Sequence, residues 1–109
     1  MKLIKAYIRT NMIDKVIRAL EHAGFTDMTV IDVKAIRSGI NERDLEYSIE
    51  LAERYMNVAK LDMVLQDEDA ERAKEIILET ARTGRKGDGF IYTSSVDEAI
   101  HIRTGKNST

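Results

Sequence analysis

The sequence predicts a single α+β domain in which two strand–helix units, laid out βαββαβ, build an antiparallel sheet with both helices on one face. Three observations carry this: short segments of alternating apolar residues, two stretches with apolar residues at i, i+3, i+4, and one long interval between the second and third strands. The chain has 109 residues, enough for one modest core.

The first strand covers residues 2–9, with Ile4, Ala6 and Ile8 on one side and Lys2 and Lys5 among the others. Leu3 and Tyr7 make the second side partly apolar. Asn11 is placed to cap the first helix, with Asp14 in its first turn; Ile13, Val16, Ile17 and Leu20 form its stripe and Gly24 ends it. Residues 28–36 are rich in β-branched types and read as the second strand. Residues 58–65 read as the third, with Ala59, Leu61, Met63 and Leu65 facing one way. Asp67 is expected to cap a second helix over 69–82, buried through Ala73, Ile76, Ile77 and Ala81. Residues 89–93 give a short strand, and the end, AIHIRTG, offers one more. This order is the split, ferredoxin-like arrangement. Domain organisation is expected to be 1–109 as one unit, with 37–57 protruding and 105–109 a flexible tail.

Composition excludes several function classes. There is no cysteine, hence no disulfide, thiolate metal site or cysteine nucleophile, and a cytoplasmic location is expected. The formal net charge of −2 gives no bulk attraction to nucleic acid or anionic membranes. MKLIKAYIRT lacks the unbroken apolar stretch of a signal peptide, and no run nears the roughly 20 apolar residues that span a bilayer, so direct membrane insertion is not expected. Four tyrosines and two phenylalanines, with no RNP-type motif, argue against an RNA-binding sheet. His22 and His101, distant and without cysteine, make a poor metal set. No catalytic triad or paired-carboxylate arrangement stands out, so no enzyme is expected.

Three regions ask for a function. The open sheet face mixes Lys5, Asp32, Lys60 and Asp62 with Leu3, Tyr7, Val58 and Val64, a surface suited to contact between subunits. The segment Thr83-Gly84-Arg85-Lys86-Gly87-Asp88-Gly89 holds three glycines beside two cations. Such a loop can bring backbone N–H groups to an anion, although it also reads as a helix C-cap followed by a turn with solvated basic residues. Residues 42–56 alternate apolar and acidic side chains with Leu45, Tyr47, Ile49 and Leu51, and also approach helical spacing through Leu45, Ile49, Ala52 and Met56. The two periods compete. An arm that orders on a partner, with Tyr47 and Tyr55 as anchors, and a β-hairpin extension both satisfy it.

These segments together resemble the PII signal-transduction family nearly end to end: MKLIKAYIR, the helix ending LEHAG, MTVIDVK at 28–34, KLDMV at 60–64, ARTGRKGDG at 81–89 and IRTG at 102–105. The resemblance implies a homotrimer that binds an adenine nucleotide between neighbouring subunits as an effector, with no resident cofactor. It further implies a long loop, the T-loop, that docks on transporters, enzymes or regulators. Carried over, the cleft would use Thr29, the backbone of Ala35, Ile36, Arg37 and Ser38, and Asp62 and Val64, while the neighbour would supply Gly87, Asp88, Gly89 and Arg103. Partner contacts would fall to Tyr47, Leu51 and Tyr55, Leu51 standing where some members carry a uridylylated tyrosine.

Departures from the family pattern fall on the phosphate side of the cleft and in the loop. Phe90 stands where the family usually has lysine and His101 where it has the first of two arginines, while Asp62 replaces a glutamate. Two fixed charges are missing, so either triphosphate binding is expected to be weak or the ligand is a less charged nucleotide such as AMP or a cyclic nucleotide, and ATP, ADP, AMP and cyclic nucleotides all stand as candidate effectors. Gly39 replaces the glutamine that helps hold Mg²⁺ and 2-oxoglutarate, and Val58 replaces the lysine at the base of the loop. Divergent family members accompany bicarbonate or heavy-metal transport systems, so a membrane transporter is one class of partner. The competing reading is a trimeric divalent-metal tolerance protein of similar fold.

Overall fold

Alternating burial along the first strand sets the whole architecture. In the computed structural model, which describes residues 1–36, 55–85 and 87–107, strand β1 runs Lys2–Arg9 and buries Ile4, Ala6 and Ile8 on one face. A 3-10 turn over Thr10–Met12 leads into helix α1, Ile13–His22. Strands β2, Thr29–Ile36, and β3, Tyr55–Leu65, follow, then helix α2, Asp67–Ala81, and strand β4, Ile91–Ser95. The sheet order is β2-β3-β1-β4, antiparallel throughout, which is the ferredoxin-like arrangement.

Both helices lie on the face that carries Ile4, Ala6, Ala59, Leu61 and Met63. Val16 and Leu20 of α1 and Ala70, Ala73 and Ile77 of α2 complete that core. Burying a side chain the size of Leu20, Leu61 or Ile77 stabilises by roughly 1.5–3 kcal/mol. Surface pairs such as Arg72–Asp69 and Lys74–Glu71 give about 0–1 kcal/mol each, so apolar burial holds the helices to the sheet. Helix α1 ends in a Schellman turn: Phe25 N–H donates to the Leu20 carbonyl at 3.0 Å, and Gly24 N–H to that of Glu21 at 3.0 Å. Gly24 supplies the positive φ of 99°, and the buried Phe25 closes the turn against the core.

Several expectations need correction. Asn11 sits inside the 3-10 turn, and Met12 occupies the N-cap of α1 with no side-chain cap. Asp67 is the first residue of α2 and Gln66 is its N-cap. The Asp67 carboxylate instead binds the α-amino group of Met1 at 3.0 Å, which lowers its pKa. Asp32 pairs in register with Ala59, so it belongs to the helix side of the sheet; Ile31 and Val33 share the open face with Lys60 and Val58. The fourth strand begins at Ile91, because Gly87 and Gly89 hold positive φ before it. The segment AIHIRTG forms a turn closed by a bridge between Ile100 and Asn107. Within it His101 N–H donates to the Lys106 carbonyl at 3.0 Å and Gly105 N–H to that of His101 at 2.7 Å.

Candidate functional site

Among the described residues, two clefts gather part of the expected binding set. The first, about 680 Å³, lies where the start of β2 meets the end of β3, and it brings together Thr29, Asp62, Val64 and His101. Register explains the first pair: Thr29 stands opposite Asp62 across the β2–β3 ladder, both on the open face. His101 reaches this cleft through the closing turn at 100–107, which also presents an exposed Arg103. Asp62 Oδ2 pairs with Lys60 Nζ at 3.3 Å. Asp62 Oδ1 is buried and has no hydrogen-bond partner among the described residues. A buried acceptor without a donor is costly, and here it lines a cleft wide enough for a ligand to supply one.

The second cleft, about 590 Å³, lies between α2 and the β1–β4 pair and brings together Asp88, Gly89 and Phe90. The glycine-containing loop is wound around the Asp88 carboxylate. Thr83 N–H donates to Oδ2 at 2.9 Å, Gly84 N–H to Oδ2 at 2.9 Å, and the Thr83 hydroxyl to Oδ1. Arg9 Nε donates to Oδ1 at 3.3 Å from the end of β1. The Thr83 hydroxyl, then its N–H and that of Gly84, hold the carboxyl well below the usual carboxylate range, with Arg9 adding to them. Phe90 is 69% exposed and stacks on Tyr92 at 5.9 Å between centroids, and Tyr92 and Tyr7 form a T-shaped pair with centroids 5.9 Å apart.

Among the described residues the two sets share no lining residue. Grouping His101 with Thr29, Asp62 and Val64 differs from the division expected from the sequence, which placed the closing turn's Arg103 with the glycine loop. Ala35 and Ile36 lie in β2, in register with Met56 and Tyr55 at the start of β3. Arg37, Ser38, Tyr47 and Leu51, and with them most of the proposed arm, lie outside the described residues. Arg9 escaped the sequence reading as a site residue, and Thr83 entered it only as the first residue of the glycine-containing segment. Thr83 and Asp88 at i and i+5 across two glycines carry a weak local signal, whereas nothing in the spacing links residue 9 to residue 88. Among the described residues no three His, Cys, Asp or Glu side chains gather as a metal set. Nor, among them, is any helix long and apolar enough to cross a membrane.

The description of the nitrogen regulatory protein P-II family matches residues 1–106. The chain is 42% identical over 108 residues to the nitrogen fixation nifHD1 region GlnB-like protein 1 of Methanosarcina barkeri, covering 97% of each. It is 40% identical over 111 residues to nitrogen regulatory protein P-II 2 of Methanothermobacter thermautotrophicus, covering 98% of this chain and 93% of that one. The nitrogen regulatory protein P-II of Rhodobacter capsulatus is 38% identical over 106 residues, covering 97% and 95%.

Proposed function

The chain belongs to the nitrogen regulatory protein P-II family, and on that footing we propose that it is a trimeric signalling protein whose subunits bind an adenine nucleotide between them and control a partner protein through the segment 37–57. The observation that carries the nucleotide reading is the orphaned Asp62 Oδ1 in a cleft with Thr29, Val64 and His101. An amino-bearing planar base supplies the donor this acceptor lacks, and Val64 and Met28 offer it apolar walls. The glycine loop of a neighbouring subunit then meets the phosphate end, since the loop of the same chain opens onto the other cleft.

The open face supports assembly into a trimer. Ile31 and Val64, both 45% exposed, and Tyr92, 54% exposed, leave a broad apolar area beside Lys5, Lys60 and Asp62. Closed cyclic symmetry covers it and brings each first cleft against the next copy's loop.

Calorimetric titration with ATP, ADP, AMP and a cyclic adenine nucleotide tests the reading. It requires saturable binding of at least one of them, one site per subunit, to a particle of three chains by light scattering. A trimer that binds none of the four overturns the nucleotide assignment, and a monomer that binds overturns the shared cleft.

A further inference from the structure

Among the described residues the Asp88 carboxylate accepts from Thr83 N–H, the Thr83 hydroxyl, Gly84 N–H and Arg9 Nε. Arg85 N–H donates to Thr83 Oγ1 at 3.2 Å, so the first three amides of the loop are all committed within it. At the far end the loop meets β1 again. Tyr7 N–H donates to the Phe90 carbonyl at 2.9 Å, and Gly89 packs against the Tyr7 carbonyl. The loop is therefore held to β1 by a side chain at Arg9 and by backbone at Tyr7.

We propose that Asp88 is a positioning residue of the nucleotide site and not a ligand contact: it fills the donors of Thr83 and Gly84 and leaves an anionic ligand to the Gly87–Gly89 half of the loop. The ligand in this inference rests on the nucleotide reading given above. An ionised carboxylate held by charge-assisted and backbone hydrogen bonds is a strong internal anion. A phosphate seeking the same two amides would have to expel it against like-charge repulsion, while Gly87, at φ of 92°, brings no side chain to the other half of the loop. The Thr83 hydroxyl has two tasks, donating to Asp88 and accepting from Arg85, so removing it loosens the first half of the loop without touching the ligand.

The test compares Thr83→Val, Thr83→Ser and Asp88→Asn with the wild type, using ADP and adenosine as probes and amide hydrogen exchange on the nucleotide-free protein. Exchange at Thr83 and Gly84 is expected to quicken about tenfold or more in Thr83→Val and Asp88→Asn, and to return toward wild type in Thr83→Ser. ADP affinity is expected to fall about tenfold in the first two and recover in Thr83→Ser, with adenosine affinity unchanged in all three. Exchange that is unaltered in Thr83→Val and Asp88→Asn overturns the proposal. So does loss of ADP affinity in Asp88→Asn with the loop's exchange still at the wild-type rate, because the carboxylate would then be a ligand contact. Failure of the wild type to bind ATP, ADP, AMP or a cyclic adenine nucleotide defeats the nucleotide reading alone, and the exchange comparison still decides what Asp88 does.

Discussion

Gly89 lies so close to Tyr7 that a Cβ on Gly89 would stand 1.8 Å from the Tyr7 carbonyl oxygen. The obstacle is strand backbone, which cannot swing aside as a side chain can. Gly89 also holds φ at 97°, a conformation that side chains disfavour. Gly84 shares the positive φ, at 83°, but faces open space. Gly89→Ala is therefore expected to destabilise the fold more than Gly84→Ala, whose cost is that of backbone strain alone, roughly 1–3 kcal/mol. Chemical denaturation of the two variants measures the difference. Equal losses would mean that β1 and the loop are not in contact.

The ring cluster on the open face predicts how the assembly comes apart. Tyr92 is 54% exposed on the isolated chain, with Tyr7 and Phe90 beside it. A charge there costs little in a single subunit and much at a dry interface. Tyr92→Asp should keep the circular dichroism spectrum of the wild type while its mass by light scattering falls toward one chain. A retained three-chain mass would place the subunit interface elsewhere.

The Asp88 carboxyl predicts a pH dependence with a definite sign. Its folded pKa is depressed, chiefly by the Thr83 hydroxyl, so the order it confers on the loop is complete above the unfolded value of about 3.9. That order is lost only as pH falls through the lower, folded value. Loop amide exchange, corrected for its intrinsic pH dependence, should be flat from about pH 5 to 8. An NMR titration of the Asp88 carboxyl carbon should have its midpoint below the ordinary range. A midpoint at or above about 4 would contradict the hydrogen-bonding pattern.

Val58 predicts a missing response. It is 4% exposed, paired with Arg9 on one side and Val33 on the other. An apolar side chain gives a carboxylate no partner. No Mg²⁺- and ATP-dependent 2-oxoglutarate isotherm is expected in calorimetry. A saturable one would show that another group does this work.

What the sequence disclosed follows the range of its signals. Ile4-Ala6-Ile8 and Ala59-Leu61-Met63 alternate strictly, and both strands bury those residues. The stripes of α1 and α2 were legible for the same reason. Helix starts were not: Asn11 and Asp67 have the right chemistry for caps, but a 3-10 turn claimed one and the Met1 amine the other. Asp32 alternates plausibly for either face, and only its pairing with Ala59 assigns it. Thr29, Asp62 and Val64 were legible as a group through family resemblance. Their grouping with His101 arises from the closing turn at 100–107, whose Ile100–Asn107 bridge leaves no mark in local periodicity. Arg9 reaches Asp88 only because β1 and the glycine loop meet in three dimensions.

The central claim is that the nucleotide cleft is built from two copies, Thr29, Asp62, Val64 and His101 from one and the glycine loop from the next. Subunit mixing tests it most directly. Asp62→Ala and Gly87→Val, each expected to bind poorly alone, are unfolded together, refolded as mixed trimers and titrated with the adenine nucleotide that the wild type binds best. A shared cleft predicts recovery of roughly a quarter of the wild-type sites at full affinity, one intact cleft in each mixed trimer. No recovery, with mixed trimers confirmed by mass, would place both residues in a cleft belonging to a single chain and contradict the account.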